Sequence, residues 1–253
     1  MNSRPAILVT GGARRIGAAI VRRFAAENWH VVIHCRDSAE EAEALASVLP
    51  SAEVVRCDLA DGAAAVTMVE ALAARLDDWR ALVNSASVFR ADDVAALDPA
   101  TFTEAMQVNA ATPAAMAQAY LRRARSQAGR RVIQLTDQKI ANPNPDFFSY
   151  TMSKHALAAT VPMMAMASAP DDRVYALAPG AILASHDQAP EEAEVSHRMN
   201  LLKRRTSADE VADAAWFLAT GQLASGQTLF VDSGQHLLSQ PRDVMYLARG
   251  ETA

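Results

Sequence analysis

Short apolar runs alternate along the chain with longer stretches in which apolar side chains recur every three or four residues. Residues 6–10, 29–34, 52–57, 81–83, 131–136, 173–177 and 227–231 read as strands, bounded by glycine, polar or acidic positions. Between the first two, residues 14–28 place Ile16, Ile20, Val21 and Phe24 on one side of a helix. Residues 38–49 form an acidic, alanine-rich helix that Ser38 is placed to cap. Helical patterns also cover 62–77, one long stretch from about 101 to 126, the stretch carrying Tyr150, and 207–219. Strict alternation of strand and helix predicts a single α/β domain over residues 1–253. Its architecture is expected to be a doubly wound parallel sheet of about seven strands, helices on both faces and right-handed crossovers. No linker marks a second domain, and 181–205 is the least regular region.

Composition adds boundaries to this picture. The 253 residues are 51% hydrophobic and 21% charged, which suffices for one large core. A net charge of −5 argues against a general nucleic-acid binder, although Arg14, Arg15, Arg22 and Arg23 form a local basic group suited to a phosphate. No apolar run approaches the roughly 20 residues that span a bilayer. Residues 1–5 lead into the first strand without the apolar core of a secretion signal, so no membrane association and a cytoplasmic location are expected. Cys35 and Cys57 have no metal-binding spacing, nor do His30, His34, His155, His186, His197 and His236, so no metal site is expected.

The candidate chemistry sits at strand ends. In Thr10-Gly-Gly-Ala-Arg-Arg-Ile-Gly17, Gly11 and Gly17 bracket a strand-to-helix turn at which backbone N–H groups of Arg14, Arg15 and Ile16 can approach a pyrophosphate. The second strand ends in His34-Cys-Arg-Asp-Ser38. Arg36 with Ser38, assisted by Arg14 or Arg15, suits a ribose 2′-phosphate and favours NADPH, whereas Asp37 turned inward would take a ribose hydroxyl. Asp58, ending the third strand, can accept from an adenine amino group or cap the next helix. Tyr150 and Lys154, four apart, share one face of a helix, where an ammonium can stabilise a developing phenolate. Asp137 lies upstream at a strand end, completing an acid, a phenol and an amine able to manage a proton.

With these positions in order, the whole chain resembles the short-chain dehydrogenase/reductase family, whose fold is Rossmann-type. The landmarks are the glycine turn, Asp58, Asn84-Ser-Ala-Ser87, Asn109, and Tyr150 with Lys154. The resemblance implies that Tyr150 protonates or positions the reduced atom. Lys154 would lower the Tyr150 pKa and bind the nicotinamide ribose, and Asn109 would support a water relay to Lys154. It places Asn84, Ala86, Pro179 and Gly180 beside the cofactor. The C-terminal strand, 226–237, resembles one that joins a tetramer interface, so a homotetramer is expected.

Departures from the family pattern narrow the reading. Asp137 stands thirteen residues before Tyr150, where most members carry serine, and Arg15 replaces the middle glycine of the turn. With Phe89 and the string Tyr-Thr-Met-Ser-Lys, these resemble the pteridine reductase branch and the dihydromonapterin reductases. A pterin ring nitrogen must gain a proton as hydride arrives at the adjacent carbon, and a carboxyl group suits that task and an amino-pyrimidine edge. Phe89 would cover one face of the flat ring, and Arg15 would reach its carbonyl edge as well as the diphosphate. Ser87 and Leu183, with Ser185, are further pocket candidates, and 181–205 is expected to be a partly helical lid. The expected substrate is a small dihydropteridine: dihydromonapterin, dihydrobiopterin or dihydrofolate. A generic NADPH-dependent carbonyl reductase of 3-oxoacyl or other ketones is the alternative, and a non-catalytic nucleotide-binding protein a third. Bland roles stand beside these: Phe89 as a core aromatic, Asp137 as a turn former and Arg15 as a surface charge. Tyr175 replaces a common asparagine, Pro162 is expected to kink its helix or alter subunit packing, and Met163, Met164 and Met166 read as core or interface filler.

Overall fold

The computed structural model describes residues 4–184 and 188–251. The first half runs β1 (Ala6–Val9), α1 (Arg15–Ala26), β2 (His30–Cys35), α2 (Ala39–Ser47), β3 (Ala52–Arg56), α3 (Gly62–Arg75) and β4 (Trp79–Asn84). Then come α4 (Pro99–Met106), α5 (Thr112–Arg123), β5 (Arg131–Leu135), α6 (Phe148–Ala167) and β6 (Arg173–Pro179). The chain closes with α7 (Pro190–Ser196), α8 (Ala208–Thr220), β7 (Thr228–Val231) and α9 (Val244–Ala248). Ser185 and His186 fall outside the described residues.

The seven strands form one parallel sheet in the order β3-β2-β1-β4-β5-β6-β7. Parallel strands need covered faces, and β1 shows how the sequence meets that need. Ile7 and Val9 face the layer containing Phe24 of α1 and Val211 of α8. Leu8 faces the opposite layer with Leu72 of α3 and Met116 and Tyr120 of α5. Strand order reverses direction between β1 and β4, which opens a crevice at their C-terminal ends.

One helical expectation changes. The long helix expected near 101–126 is divided by a turn of π-helix, Gln107–Ala111, which carries Asn109. α6 runs unbroken through Pro162, whose ring faces solvent. Met163 and Met166 on the same helix are exposed rather than in the core. Tyr175 is fully buried and its hydroxyl donates to the Leu223 carbonyl at 2.5 Å, a structural role.

Candidate active site

The turn after β1 is shaped by close approach. Gly11 has φ +63°, and a Cβ on Gly17 would lie 2.2 Å from the Gly11 carbonyl oxygen, so α1 packs directly on the turn. Arg15 also has a positive φ, 53°, which explains physically why glycine suits this position. Its guanidinium donates to the carbonyls of Ala184 at 3.0 Å and Leu183 at 3.2 Å, spanning from the turn to the 181–205 region. α1 begins without a side-chain cap and without an acidic residue in its first turn, leaving its positive end open to an anion.

A cavity of about 220 Å³ lies over the β1 and β2 ends, lined by Arg14, Arg36, Ser38, Asp58, Ala86 and Val108 among others. Ser38 occupies the first position before α2 but makes no capping hydrogen bond, so the expected cap is not formed. Asp58 accepts from the Ala60 amide at 2.9 Å, while Asp61 caps α3. Arg36 pairs with Asp37 at 2.6 Å and Arg14 with Glu41, both on the surface. Arg22 is exposed, and Arg23 bonds Glu27 and Asp213 and covers Trp216, so the four arginines do not form one phosphate cluster.

Beneath the turn lies a residue that carried no signal of its own. His34 Nδ1 accepts from the Gly11 amide at 3.2 Å and its Nε2 lies 3.0 Å from the Cys57 carbonyl, which fixes the Nε2–H tautomer. Burial pushes its pKa down to about 4 and holds it neutral.

The second cavity, about 500 Å³, continues from the first past Gly11, Ala86 and Ser87 to the ends of β5 and β6. Of the candidate site residues, Arg15, Ile16, Gly17, Ser87, Phe89, Asp137, Tyr150, Pro179, Gly180 and Leu183 line it. Tyr150 stands in the first turn of α6, whose start is anchored by Ser149 N–H donating to Asp92 at 3.1 Å. The Tyr150 hydroxyl donates to Asp137 Oδ2 at 2.8 Å, and Asp137 Oδ1 accepts from the Lys139 amide at 2.8 Å. Burial raises the Asp137 pKa against the pull of Lys139, Tyr150 and Lys154. Burial and then the Asp137 charge raise the Tyr150 pKa well above its usual value, the opposite of the lowering that the family resemblance implies.

Lys154 lies behind the phenol and lines neither cavity. Its Nζ donates to the Leu135 carbonyl at 2.8 Å and sits 5.5 Å from the Tyr150 ring centre. Burial lowers its pKa to about 8, with Asp137 opposing. Asn109 is fully buried; its amide donates to the Val88 carbonyl and Ser153 Oγ, and its oxygen accepts from Val88 N–H and Ser87 Oγ. It therefore pins the 87–88 loop to α6 and makes no contact with Lys154 through its side chain. Asn84 turns into the sheet, donating to Gln134 Oε1 at 2.9 Å and Pro113 O at 3.2 Å, and lines neither cavity. Ala86 lines both cavities, its amide held by Thr10 Oγ1 at 3.0 Å.

Phe89 is partly buried, stacked on Phe147 at 4.0 Å and edge-on to Tyr150 at 4.7 Å. Met245 and Tyr246 of α9 extend this cluster. The C-terminal segment is thus a wall of the cavity; Lys139, Asp243, Val244 and Met245 line it without having been expected, and Gln188 and His197 line it from the region expected to form a lid. Lys139 stood two residues after Asp137 in plain view; Asp243 is brought in only by the tertiary fold.

Comparison with known proteins gives the chain its family and relatives. Residues 11–236 match the family described as enoyl-(acyl carrier protein) reductase. The granaticin polyketide synthase putative ketoacyl reductase 2 of Streptomyces violaceoruber is 32% identical over 92% of this chain and 97% of its own length. The dihydromonapterin reductase of Citrobacter koseri is 27% identical over 91% of this chain and 96% of its own. Among solved structures, FolM alternative dihydrofolate reductase 1 from Brucella canis, complexed with NADP, is 36% identical with a TM-score of 0.88, covering 95% of this chain and 97% of that one. Its Brucella suis counterpart, also in complex with NADP, gives the same identity and TM-score. The chain is a reductase of the short-chain dehydrogenase/reductase family, similar to that family's pteridine-reducing members.

Proposed function

We propose that this protein reduces a dihydropteridine to its tetrahydro form with NADPH. The observation that carries the reading is Asp137 Oδ2 at 2.8 Å from the Tyr150 hydroxyl, a carboxyl and a phenol sharing one hydrogen bond at the cavity wall. The Brucella proteins bound to NADP support the cofactor, as do the residues here. The uncapped α1 terminus and the glycine cradle fit a pyrophosphate. Ser38 Oγ and the exposed Arg36 and Arg14 fit a 2′-phosphate, because surface pairs such as Arg36–Asp37 exchange at little cost. Asp58 borders the adenine end of the groove. NADPH, when bound, supplies the hydride.

The chain's residues handle the proton. Burial disfavours charge on both Asp137 and Tyr150, so the couple retains a proton that it can pass to a ring nitrogen. Lys154 supplies nearby positive charge that steadies the couple after the proton leaves. Asn109 and Asn84 act as braces that fix Ser87 and the strand ends. Phe89 offers an aromatic side to a flat ring, its other side being taken by Phe147. The chain assembles as a homotetramer in this reading, supported by the exposed apolar Met163, Met166 and Phe217, and light scattering measures it. Among the described residues no helix is long and apolar enough to cross a membrane.

A second reading, reduction of a 3-oxoacyl ketone, is favoured by the 32% identity to the Streptomyces ketoacyl reductase. The two separate in one assay: NADPH oxidation with dihydromonapterin, dihydrobiopterin and dihydrofolate beside a 3-oxoacyl thioester. Turnover of a dihydropteridine supports the first reading. Turnover of the ketone alone overturns it.

A further inference from the structure

Two residues along from Asp137, a second lysine is buried in the same wall. Lys139 is 3% exposed. Its Nζ forms an ion pair with Asp243 at 2.8 Å, donates to Asn144 Oδ1 at 2.9 Å and lies 5.4 Å from the Phe147 ring centre. Its amide makes the 2.8 Å bond to Asp137. Asp243 caps α9 by accepting from the Met245 amide at 3.0 Å. The Asp243 amide in turn donates to Asp146 at 2.7 Å, beside the Arg242–Asp146 pair at 2.9 Å. One hydrogen-bonded and ion-paired chain therefore runs from α9 through Asp243 and Lys139 to Asp137 and Tyr150.

We propose that the Lys139–Asp243 pair is a positioning device that sets the protonation of the Asp137–Tyr150 couple and makes it depend on the C-terminal segment being seated. The proposal rests on the assignment of Asp137 as a proton-handling group. Buried ion pairs add little net stability over apolar residues of the same size, so stability alone does not account for this one. The charged or titratable groups facing Asp137 are Tyr150 and Lys154 from α6, Lys139 from the turn after β5, and Asp243 from the start of α9 through Tyr150. Lys139 holds negative charge on Asp137, whereas Asp243 opposes negative charge on Tyr150. On the net charge of the Asp137–Tyr150 couple, a cation and an anion 2.8 Å apart act in opposite senses and offset one another.

The offset gives the test a signature that simple destabilisation lacks. Lys139→Met removes the cation and leaves Asp243 negative, so Asp137 titrates at higher pH. Asp243→Asn leaves Lys139 unopposed, so Asp137 titrates at lower pH. The double variant, with no charge left at either position, returns towards wild type and is expected to fold better than either single one. The measurement is a ¹³C NMR titration of the full chain labelled at aspartate γ-carboxyl carbons, with the Asp137 signal assigned by its loss in Asp137→Asn. Because it needs no substrate, it stands apart from the choice between pterin and ketone. Opposite displacements of about one pH unit in the two single variants are expected. If a single variant does not fold, the sign in the other decides. Displacements in the same direction, or a wild-type titration in the variants that fold, would overturn the proposal.

Discussion

The two ends of the groove are built in different ways. The end over β1 and β2 is made from neighbouring segments: the glycine turn, the start of α1 and the last residues of β2. Its charges, Arg14, Arg36, Asp37 and Glu41, are exposed and loosely paired, and the imidazole buried beneath it, His34, is held neutral. The end over β5 and β6 draws on Phe89, Asp137, Tyr150 and α9, and its charged groups Lys139 and Lys154 are buried. In the proposed function the first end offers replaceable charges to the cofactor phosphates. The second holds charges in low-dielectric surroundings, where each shifts its neighbour's proton affinity. If the proposed roles hold, mutation separates binding from chemistry.

The largest expected effect is at the second end. Tyr150→Phe removes the donor to Asp137 and is expected to lower kcat by about 10²–10⁴-fold, with NADPH affinity nearly unchanged, as read by fluorescence titration. Joint loss of both would erase the separation between the ends.

Next comes the neutral support of the first end. Burial depresses the pKa of His34 from its usual value of about 6.5 to about 4. Well above pH 6.5 neither folded nor unfolded chain holds that proton, and stability is full. As pH falls from about 6.5 to about 4, the unfolded chain binds the proton and the folded one does not, so up to about 3 kcal/mol is lost. Urea unfolding at pH 7 and pH 4.5 should show a steeper acid loss in wild type than in His34→Asn; equal slopes would remove His34 from the account.

The smallest effect tests the loose charges. Arg36→Ala is expected to weaken NADPH binding about tenfold and leave NADH binding alone, roughly 1.4 kcal/mol. Equal loss for both cofactors would move the 2′-phosphate away from Arg36.

Legibility in the sequence follows the same division. Strand positions and the parallel sheet could be read because central strands such as β1 are apolar on both faces and end at glycine or acidic residues. Gly11, Arg36, Asp58 and Asp137 were legible because strand ends feed the crevice directly. Asn84 was misplaced: a motif gives a backbone position, and its amide satisfies Gln134 in the sheet instead of facing the groove. The π-helical turn at Asn109 left no mark, since one extra residue barely disturbs a helical pattern. Lys139 and Asp243 are 104 positions apart in sequence, and only folding reveals their pairing.

The central claim is that Asp137 decides which compound is reduced. The direct measurement is the ratio of kcat/KM for a dihydropterin to that for a 3-oxoacyl thioester, in wild type and in Asp137→Ser. The account predicts a ratio favouring the pterin in wild type that falls about a hundredfold or more in the variant as pterin reduction is lost and ketone reduction gained. An unchanged ratio with pterin turnover intact would contradict it.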